Sequence, residues 1–393
     1  MANMENHSSG GIGDTLLKRL GRALADDDSR GRLIRRLSRG FRVLFGWSAF
    51  GYAFLLLGLI LGFRWIGEKN LSLAFLLYLP RSIFLLPCAL LLLPAILFHR
   101  WSALALVLSS LAFLFSSMGF RAKSEPGASP AITGESLTVL TYNRGQHGNH
   151  SLQPFKNRIR PDLIVFQEAG GRAAGYLAAE GYEEFPHAID LAEFTLLSRY
   201  PILGAEVVEF EAQDASPPIP IAIPIAARFV IDFGGESVVV YAVHSVSPRD
   251  TLAYYRRGAF LYGIIGIPGT PWNEGRKTNQ AYWDQRIEQA SALRDRIASD
   301  PFPVILAGDL NAPAGGHIHR LFKSVLEDAH AAAGHGFGYT FPGTTRNPLS
   351  LGGPWMRIDY LFCNSRWETS WCITERDRPS QHRALAAQFR IRK

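Results

Sequence analysis

Two regimes of hydrophobic patterning divide the chain. Between Val43 and Phe120 apolar residues run almost without interruption, whereas from about Leu137 short apolar stretches alternate with polar ones. Val43–Phe63 is uncharged and long enough for a bilayer, which takes ~20 residues of helix. Leu71–Phe98 is a second run, interrupted by Arg81 and by Pro80, Pro87 and Pro94. Membrane helices tolerate such prolines where neighbours satisfy the freed backbone groups. Trp101–Phe120 is a third run, separated from the second by His99 and Arg100 alone. The pattern predicts a transmembrane region of about three helices over residues 43–120. A secretory signal peptide fits poorly, because the first run starts late and two more follow it.

The flanks complete the organisation. Residues 1–42 form a basic segment that reads as disordered up to Gly13, then as one or two amphipathic helices broken near Asp26-Asp27-Asp28. Residues 121–136 have linker composition, with Pro, Gly and Ser in the stretch Ala122–Glu135. Residues 137–393 follow as a domain of roughly 250 residues, enough for one large core. Within it, strands are expected at Leu137–Tyr142, Asp162–Phe166, Thr195–Leu197, Val207–Phe210, Val238–Val243, Arg357–Phe362 and Arg383–Ile391. Asn279–Ser299 repeats apolar residues at helical spacing: Trp283, Ile287, Ala290, Leu293 and Ile297. Alternating strand and helix signals place the domain in the α/β class.

Charge adds an orientation. Part of the formal net charge of +7 sits in Arg30, Arg32, Arg35, Arg36, Arg39 and Arg42, just before the first apolar run. Basic residues there keep that side cytoplasmic, and Arg100 marks a second cytoplasmic turn. Three crossings then put residues 137–393 outside the cytoplasm of a plasma (inner) membrane. Arg64, Lys69, Arg121 and Lys123 oppose this orientation, but the N-terminal cluster outweighs them. Of the three cysteines, Cys363 and Cys372 could pair in an oxidising compartment, although cysteines in adjacent strands are more often buried thiols.

Chemistry gathers where strands end. Phe302–Pro313 (FPVILAGDLNAP) is an apolar strand that breaks at Gly308 into Asp309 and Asn311. In an extended segment residues two apart point the same way, so carboxylate and amide would share one site. The alternative there is a strand end followed by an Asx turn. LTVLTYN ends at Asn143, LIVFQE at Glu168 and VVVYAVH at His244. Asp359 stands in RIDYLF, and His382 precedes the last strand. Singly these read as a turn, a satisfied histidine or a salt-bridge partner such as Asp359 with Arg357. Together they point to a site, because ligand and catalytic sites in sheet proteins collect at strand ends.

The segments TYN, FQE, LLSRYPI, VHS, GDLNA, RIDYLF and SQH, in this order, resemble the endonuclease/exonuclease/phosphatase (deoxyribonuclease I-like) superfamily. With its apolar N-terminal region the chain is similar to a membrane-anchored bacterial subgroup. The resemblance implies a four-layer α/β/β/α sandwich behind an N-terminal transmembrane helical anchor. It further implies that Glu168 is the principal ligand of Mg²⁺ (or Mn²⁺), with Asn143 nearby. Asp309 and Asn311 would position the attacking water and the phosphate. Asp359 would orient His382, and His244 would donate to a phosphate oxygen or leaving group. Two positions depart from the family pattern: Gln381 precedes the last histidine where an acid is frequent, and Gly145 stands where a second Asn or Asp is frequent. These departures argue against a two-metal site.

Three function classes compete on these residues. The expected one is a membrane-anchored, metal-dependent phosphoesterase acting outside the cytoplasm on a lipid-linked phosphate, pyrophosphate or phosphodiester. The second is a membrane-tethered nuclease, which would want basic residues along a groove; acids and bases in this domain are roughly balanced. The third, a non-catalytic binding module, conflicts with the retained acids and histidines. Tyr254–Trp272 mixes aromatic, aliphatic and arginine residues, as a lip dipping into lipid headgroups would, or as a loop packing on its own domain.

Overall fold

The structure, a computed structural model, describes residues 27–122, 136–145, 151–209, 225–249, 271–343, 345, 348–350, 352–376 and 380–392. The chain divides into two compact units: Met1–Leu56 with Leu85–Ser110, and Leu57–Phe84 with Leu111–Lys393. Most of residues 251–278 and of the 121–136 linker lie outside the described residues.

The apolar region forms helices α1 (Asp27–Trp65), α2 (Leu71–Leu77), α3 (Leu86–Phe98) and α4 (Arg100–Ser116). Basic segment and first apolar run are one continuous helix of 39 residues. Gly31–Trp65 and Arg81–Phe98 are long and apolar enough to cross a membrane, and Arg100–Ser116 is a shorter apolar helix. The second run is therefore not one helix along its whole length: it breaks near Pro80 and Arg81, two of the interruptions visible in its sequence. Asn70 caps α2 by accepting from the Ser72 and Leu73 amides at 3.1 and 3.2 Å. The helix ends at Tyr78, ahead of Pro80, whose ring fixes φ and removes a donor. The chain then restarts as a 3₁₀ turn, Arg81–Leu85, before α3. In the first unit, the His99 ring packs edge-on against Phe50 with centroids 5.4 Å apart.

In the second unit, β1 (Ser136–Asn143), α5 (Gln153–Ile159), β2 (Leu163–Gln167), α6 (Ala173–Leu177), β3 (His187–Leu191) and β4 (Phe194–Ser198) come first. Then follow β5 (Ile202–Val207), β6 (Ala226–Phe233), β7 (Glu236–His244), α7 (Pro271–Ala298), β8 (Val304–Asp309) and α8 (His317–Lys323). The chain closes with β9 (Glu327–Asp328), α9 (Ala329–Ala333), β10 (Asp359–Cys363), β11 (Trp367–Thr374) and β12 (Leu385–Ile391). Among the described residues, two six-stranded sheets form, ordered β11-β12-β1-β2-β4-β3 and β5-β6-β7-β8-β10-β9. The pairs β1–β2 and β7–β8 are parallel. The strand expected at Val207–Phe210 is instead Ile202–Val207, so the apolar end of LLSRYPI enters the second sheet.

Strand alternation builds the layers. Leu137, Val139, Leu163 and Val165 of the first sheet face Phe229, Val240, Ile305 and Leu361 of the second in one buried cluster. Their neighbours Leu140, Tyr142, Ile164 and Phe166 point outward onto Phe155 and Ile159 of α5. On the other side Val239, Tyr241 and Leu306 meet Leu293 and Ile297 of α7 and Phe322 of α8. Both faces of the central strands are covered, which is why their sequences are continuous apolar runs. Each such side chain contributes about 1.5–3 kcal/mol on burial. The result is the expected four-layer α/β/β/α sandwich. Cys363 and Cys372 are separate buried thiols, and burial pushes the Cys363 thiol up to about 12.

Candidate active site

The two parallel pairs, β1–β2 and β7–β8, bring their C-terminal ends to one edge of the sandwich. Asn143 closes β1, Glu168 follows β2, His244 closes β7 and Asp309 closes β8. β10 runs antiparallel to β8 with Asp359 opposite Asp309, so its first residue falls at the same edge. His244 is likewise in register with Asp309. That register needs Gly308, whose φ of +143° and contact with the Val243 carbonyl leave no room for a Cβ.

Asp309 is the centre. Asn143 Nδ2 donates to its Oδ2 at 3.1 Å. His382 Nε2 and His244 Nε2 stand 3.8 and 3.9 Å from the same oxygen. The other carboxylate oxygen accepts from the Asn311 backbone amide at 2.7 Å. Asn311 is left-handed, with φ +46°, and its side chain donates to the Ser245 carbonyl at 2.8 Å. Carboxylate and amide thus share the site through an Asx turn, not through strand alternation.

Two histidine–carboxylate pairs flank that centre. His382 Nδ1 lies 3.2 and 3.1 Å from the two oxygens of Asp359. His244 Nδ1 lies 2.9 Å from Glu193 Oε1. Each carboxylate fixes its ring, leaving Nε2 toward Asp309. Burial disfavours charge on His244, but the Glu193 hydrogen bond and the charges of Glu193, Asp309 and Glu168 outweigh it and raise its pKa to about 9. Burial opposes charge on His382 too, and Asp359 and Asp309 override it in the same direction. Burial and the neighbouring Asp359 carboxylate push Asp309 up to about 6, against the pull of His382 and His244. A carboxyl raised above the usual carboxylate range, between two imidazoles whose cationic forms are favoured, is suited to proton transfer.

A cleft of about 630 Å³ opens over these groups, lined by Asn143, Glu168, His244, Asp309, Asn311 and His382 among others. Asp359 stands behind His382. The structure therefore brings together every site residue expected from the sequence.

A profile of the Endonuclease/Exonuclease/phosphatase family matches residues 143–382, from the first of these residues to the last. The chain belongs to this family. It is accordingly a phosphoester hydrolase. Among solved structures, it is similar to humanized D. rerio TDP2, at 14% identity over 65% of this chain and 99% of that one, TM-score 0.43. A family protein from Bacteroides thetaiotaomicron is similar at 16% identity, 66% and 98% coverage and TM-score 0.44. Sphingomyelinase C from Streptomyces griseocarneus is similar at 21% identity, 64% and 99% coverage and TM-score 0.37. No curated protein sequence matches the chain.

Enzymes of this family depend on a divalent metal, and the donors present fit one. Glu168 lines the cleft with a φ of +52°, and its Oε2 is buried without a hydrogen-bond partner. A buried carboxylate oxygen left bare in this way calls for a cation. Asp309, Asp359 and His382 also place ligand atoms within 4.8 Å of one another. Asp359, however, commits both oxygens to His382, whereas Glu168 keeps one carboxylate oxygen free to hold a metal.

Several functional residues were not apparent in the sequence. Glu193, the partner of His244, sits in the turn between β3 and β4, and nothing local marks it apart from any other loop acid. Arg249 lines the cleft and offers a permanent positive charge. Tyr78, from the segment after α2, also lines the cleft although it lies inside what the sequence reads as a membrane span.

Proposed function

We propose that this hydrolase is membrane-anchored and removes or cleaves a phosphate, pyrophosphate or phosphodiester group carried by a lipid, outside the cytoplasm. One observation carries the reading: Leu57–Phe84, the last turns of α1 and the segment that follows, belongs to the same compact unit as the catalytic sandwich and supplies Tyr78 to the cleft. A cleft walled by residues adjoining an anchor favours a substrate already in the bilayer. Among the described residues lining the cleft, Arg249 is the one lysine or arginine. A nuclease neutralising successive phosphates would call for a row of them.

Topology follows from the basic N-terminal segment held inside by its arginines. α1 then crosses outward, Arg81–Phe98 returns, and α4 crosses outward again, leaving the catalytic domain outside a multi-pass plasma (inner) membrane protein.

Glu168, with Asn143 beside it, would hold Mg²⁺ (or Mn²⁺), which would supply positive charge toward the phosphoryl oxygens. Asn311 and Arg249 orient the phosphate. Asp309 holds the attacking water and accepts its proton, and His382, steadied by Asp359, stabilises the charge that develops on the phosphoryl oxygens. His244, held cationic by Glu193, donates to the leaving oxygen.

The test is to incubate the detergent-solubilised full chain with a phospholipid, a prenyl pyrophosphate and plasmid DNA, with MgCl₂ or EDTA. Hydrolysis of a lipid substrate that needs the metal, with DNA intact, is the expected result. Nicked DNA with both lipids untouched would establish a tethered nuclease instead.

A further inference from the structure

A second pocket, of about 490 Å³, shares no lining residue with the catalytic cleft. Its charge is one-sided. Arg64, Arg81, Arg121, Arg320 and Lys323 line it, and among the described lining residues the one acid, Asp328, is already forked by Arg357 through two bonds of 2.7 Å. Among the described lining residues, no other acid answers the five remaining cations; the buried Glu68, outside the lining, acts on Arg81 through its charge alone.

Arg81 is the decisive residue. It is 4% exposed. One guanidinium nitrogen, Nη1, donates to the Ser117 carbonyl, while Nε and Nη2 are buried without a hydrogen-bond partner among the described residues. Arg121 Nε and Arg320 Nη1 are buried and unpartnered as well. A buried guanidinium without an anion is costly, and its planar donors match phosphate oxygens two at a time. Several bare guanidinium donors around one space describe a receptor for a phosphate group.

The remaining walls say where that phosphate comes from. Ile60 and Phe63 belong to the last turns of α1, and Phe115 to the last turn of α4. Leu61 and Trp65 of α1 and Ile66 just after it are exposed at this end, 55%, 62% and 45% accessible. The Arg320 guanidinium lies 4.8 Å over the Trp65 ring. An arginine over an exposed tryptophan at the end of an apolar helix is the arrangement found at the level of lipid headgroups. An inorganic ion would need the cations but not the apolar wall.

We propose that this pocket binds the phosphate of an anionic lipid, holding the end of the anchor and the catalytic sandwich together around one headgroup. The site is separate from the reaction proposed above and does not depend on which ester that reaction cleaves.

Native mass spectrometry of the full chain in detergent tests it, with phosphatidylglycerol and phosphatidylcholine in equal amounts, and EDTA present so that turnover does not intervene. Phosphatidylglycerol should be retained ~10-fold more strongly, the scale of one charge-assisted pair. Arg81→Gln should abolish the preference, as should the surface pair Arg320→Gln with Lys323→Gln. The surface pair decides if Arg81→Gln fails to fold on size exclusion. Excess inorganic phosphate should leave the lipid in place. Equal retention of the two lipids, or a preference untouched in the surface pair, would overturn the proposal. So would displacement by inorganic phosphate, which would make the pocket a free-phosphate site.

Discussion

The phenolic hydroxyl of Tyr78 donates to the backbone carbonyl of Asn311 at 2.7 Å. Arg286 of α7 joins the same junction: Nη2 donates to the Asn311 and Leu310 carbonyls at 2.9 and 3.2 Å, and Nη1 to the Tyr78 hydroxyl at 3.2 Å. Trp355 Nε1 holds the Tyr78 carbonyl from the other side at 3.2 Å. A residue between two apolar helices thereby fixes the left-handed turn that carries Asn311.

Tyr78→Phe keeps the ring and removes the hydroxyl that donates to Asn311 and accepts from Arg286. A hydrogen bond of this kind contributes about 1 kcal/mol, so kcat should fall about 5-fold. Arg286 still satisfies the carbonyl, but its Nη1 loses an acceptor, so the melting temperature should fall slightly as well. A lowered melting temperature with unchanged kcat per folded molecule would show that Tyr78 only packs.

Glu168 makes a sharper demand. Its unpartnered buried oxygen predicts that Glu168→Gln, nearly the same shape without the charge, will cost at least ~100-fold in turnover as the metal is lost. Thermal stability should change little, because only Oε2 lacks a partner while Oε1 faces His244 Nε2 at 3.8 Å from a part-exposed side chain. Wild-type activity in EDTA equal to that in Mg²⁺ would remove Glu168 from this role.

The sandwich was legible because its central strands are buried on both faces and write themselves as apolar runs. The site was legible because polar residues at the ends of those runs have no packing reason to be there. Glu193 was not: it reaches His244 across a turn, and a loop acid carries no periodicity. The second apolar run misled for a related reason. Hydropathy cannot distinguish a residue buried in lipid from one buried in protein, and Leu71, Ala74, Leu77 and Tyr78 are buried within the catalytic unit.

Acid should destabilise the fold through His319. Gly315 donates its amide to Nδ1 at 3.2 Å, while Nε2 faces Asp328 Oδ2 at 2.9 Å, so the ring is neutral with its proton on Nε2. Burial lowers its pKa to about 4, with Arg357 and Lys323 adding to the effect and Asp328 opposing it. The unfolded value is ~6.5, so the unfolded chain takes up the proton first as pH falls. The neutral ring's contribution is complete above ~6.5 and is lost between there and about 4. His317 and His330, lowered by burial to about 4 and about 3, act in the same sense. The drop in melting temperature from pH 7 to pH 4.5 should therefore shrink, without vanishing, in His319→Gln. An unchanged drop would mean that the ring titrates normally.

Asp359 and His382 should behave as one unit. Both are buried, and both oxygens of Asp359 lie within 3.2 Å of Nδ1. Thr340 Oγ1 accepts from the Asp359 amide at 3.2 Å, fixing the backbone that carries the carboxylate. Pairing of Asp359 with Arg357 is excluded, since that guanidinium forks onto Asp328. Asp359→Asn replaces the acceptor facing Nδ1 with an amide, which no longer stabilises the cation and can turn its donor toward the ring. Nε2 would then present the wrong protonation state to the group beside Asp309. Turnover should fall by ~100-fold or more in Asp359→Asn and in His382→Ala. Groups acting together are not additive, so the double variant should be hardly worse than His382→Ala alone. Losses that multiply in the double variant, each measured as kcat on the same substrate, would show that the carboxylate works independently of the ring.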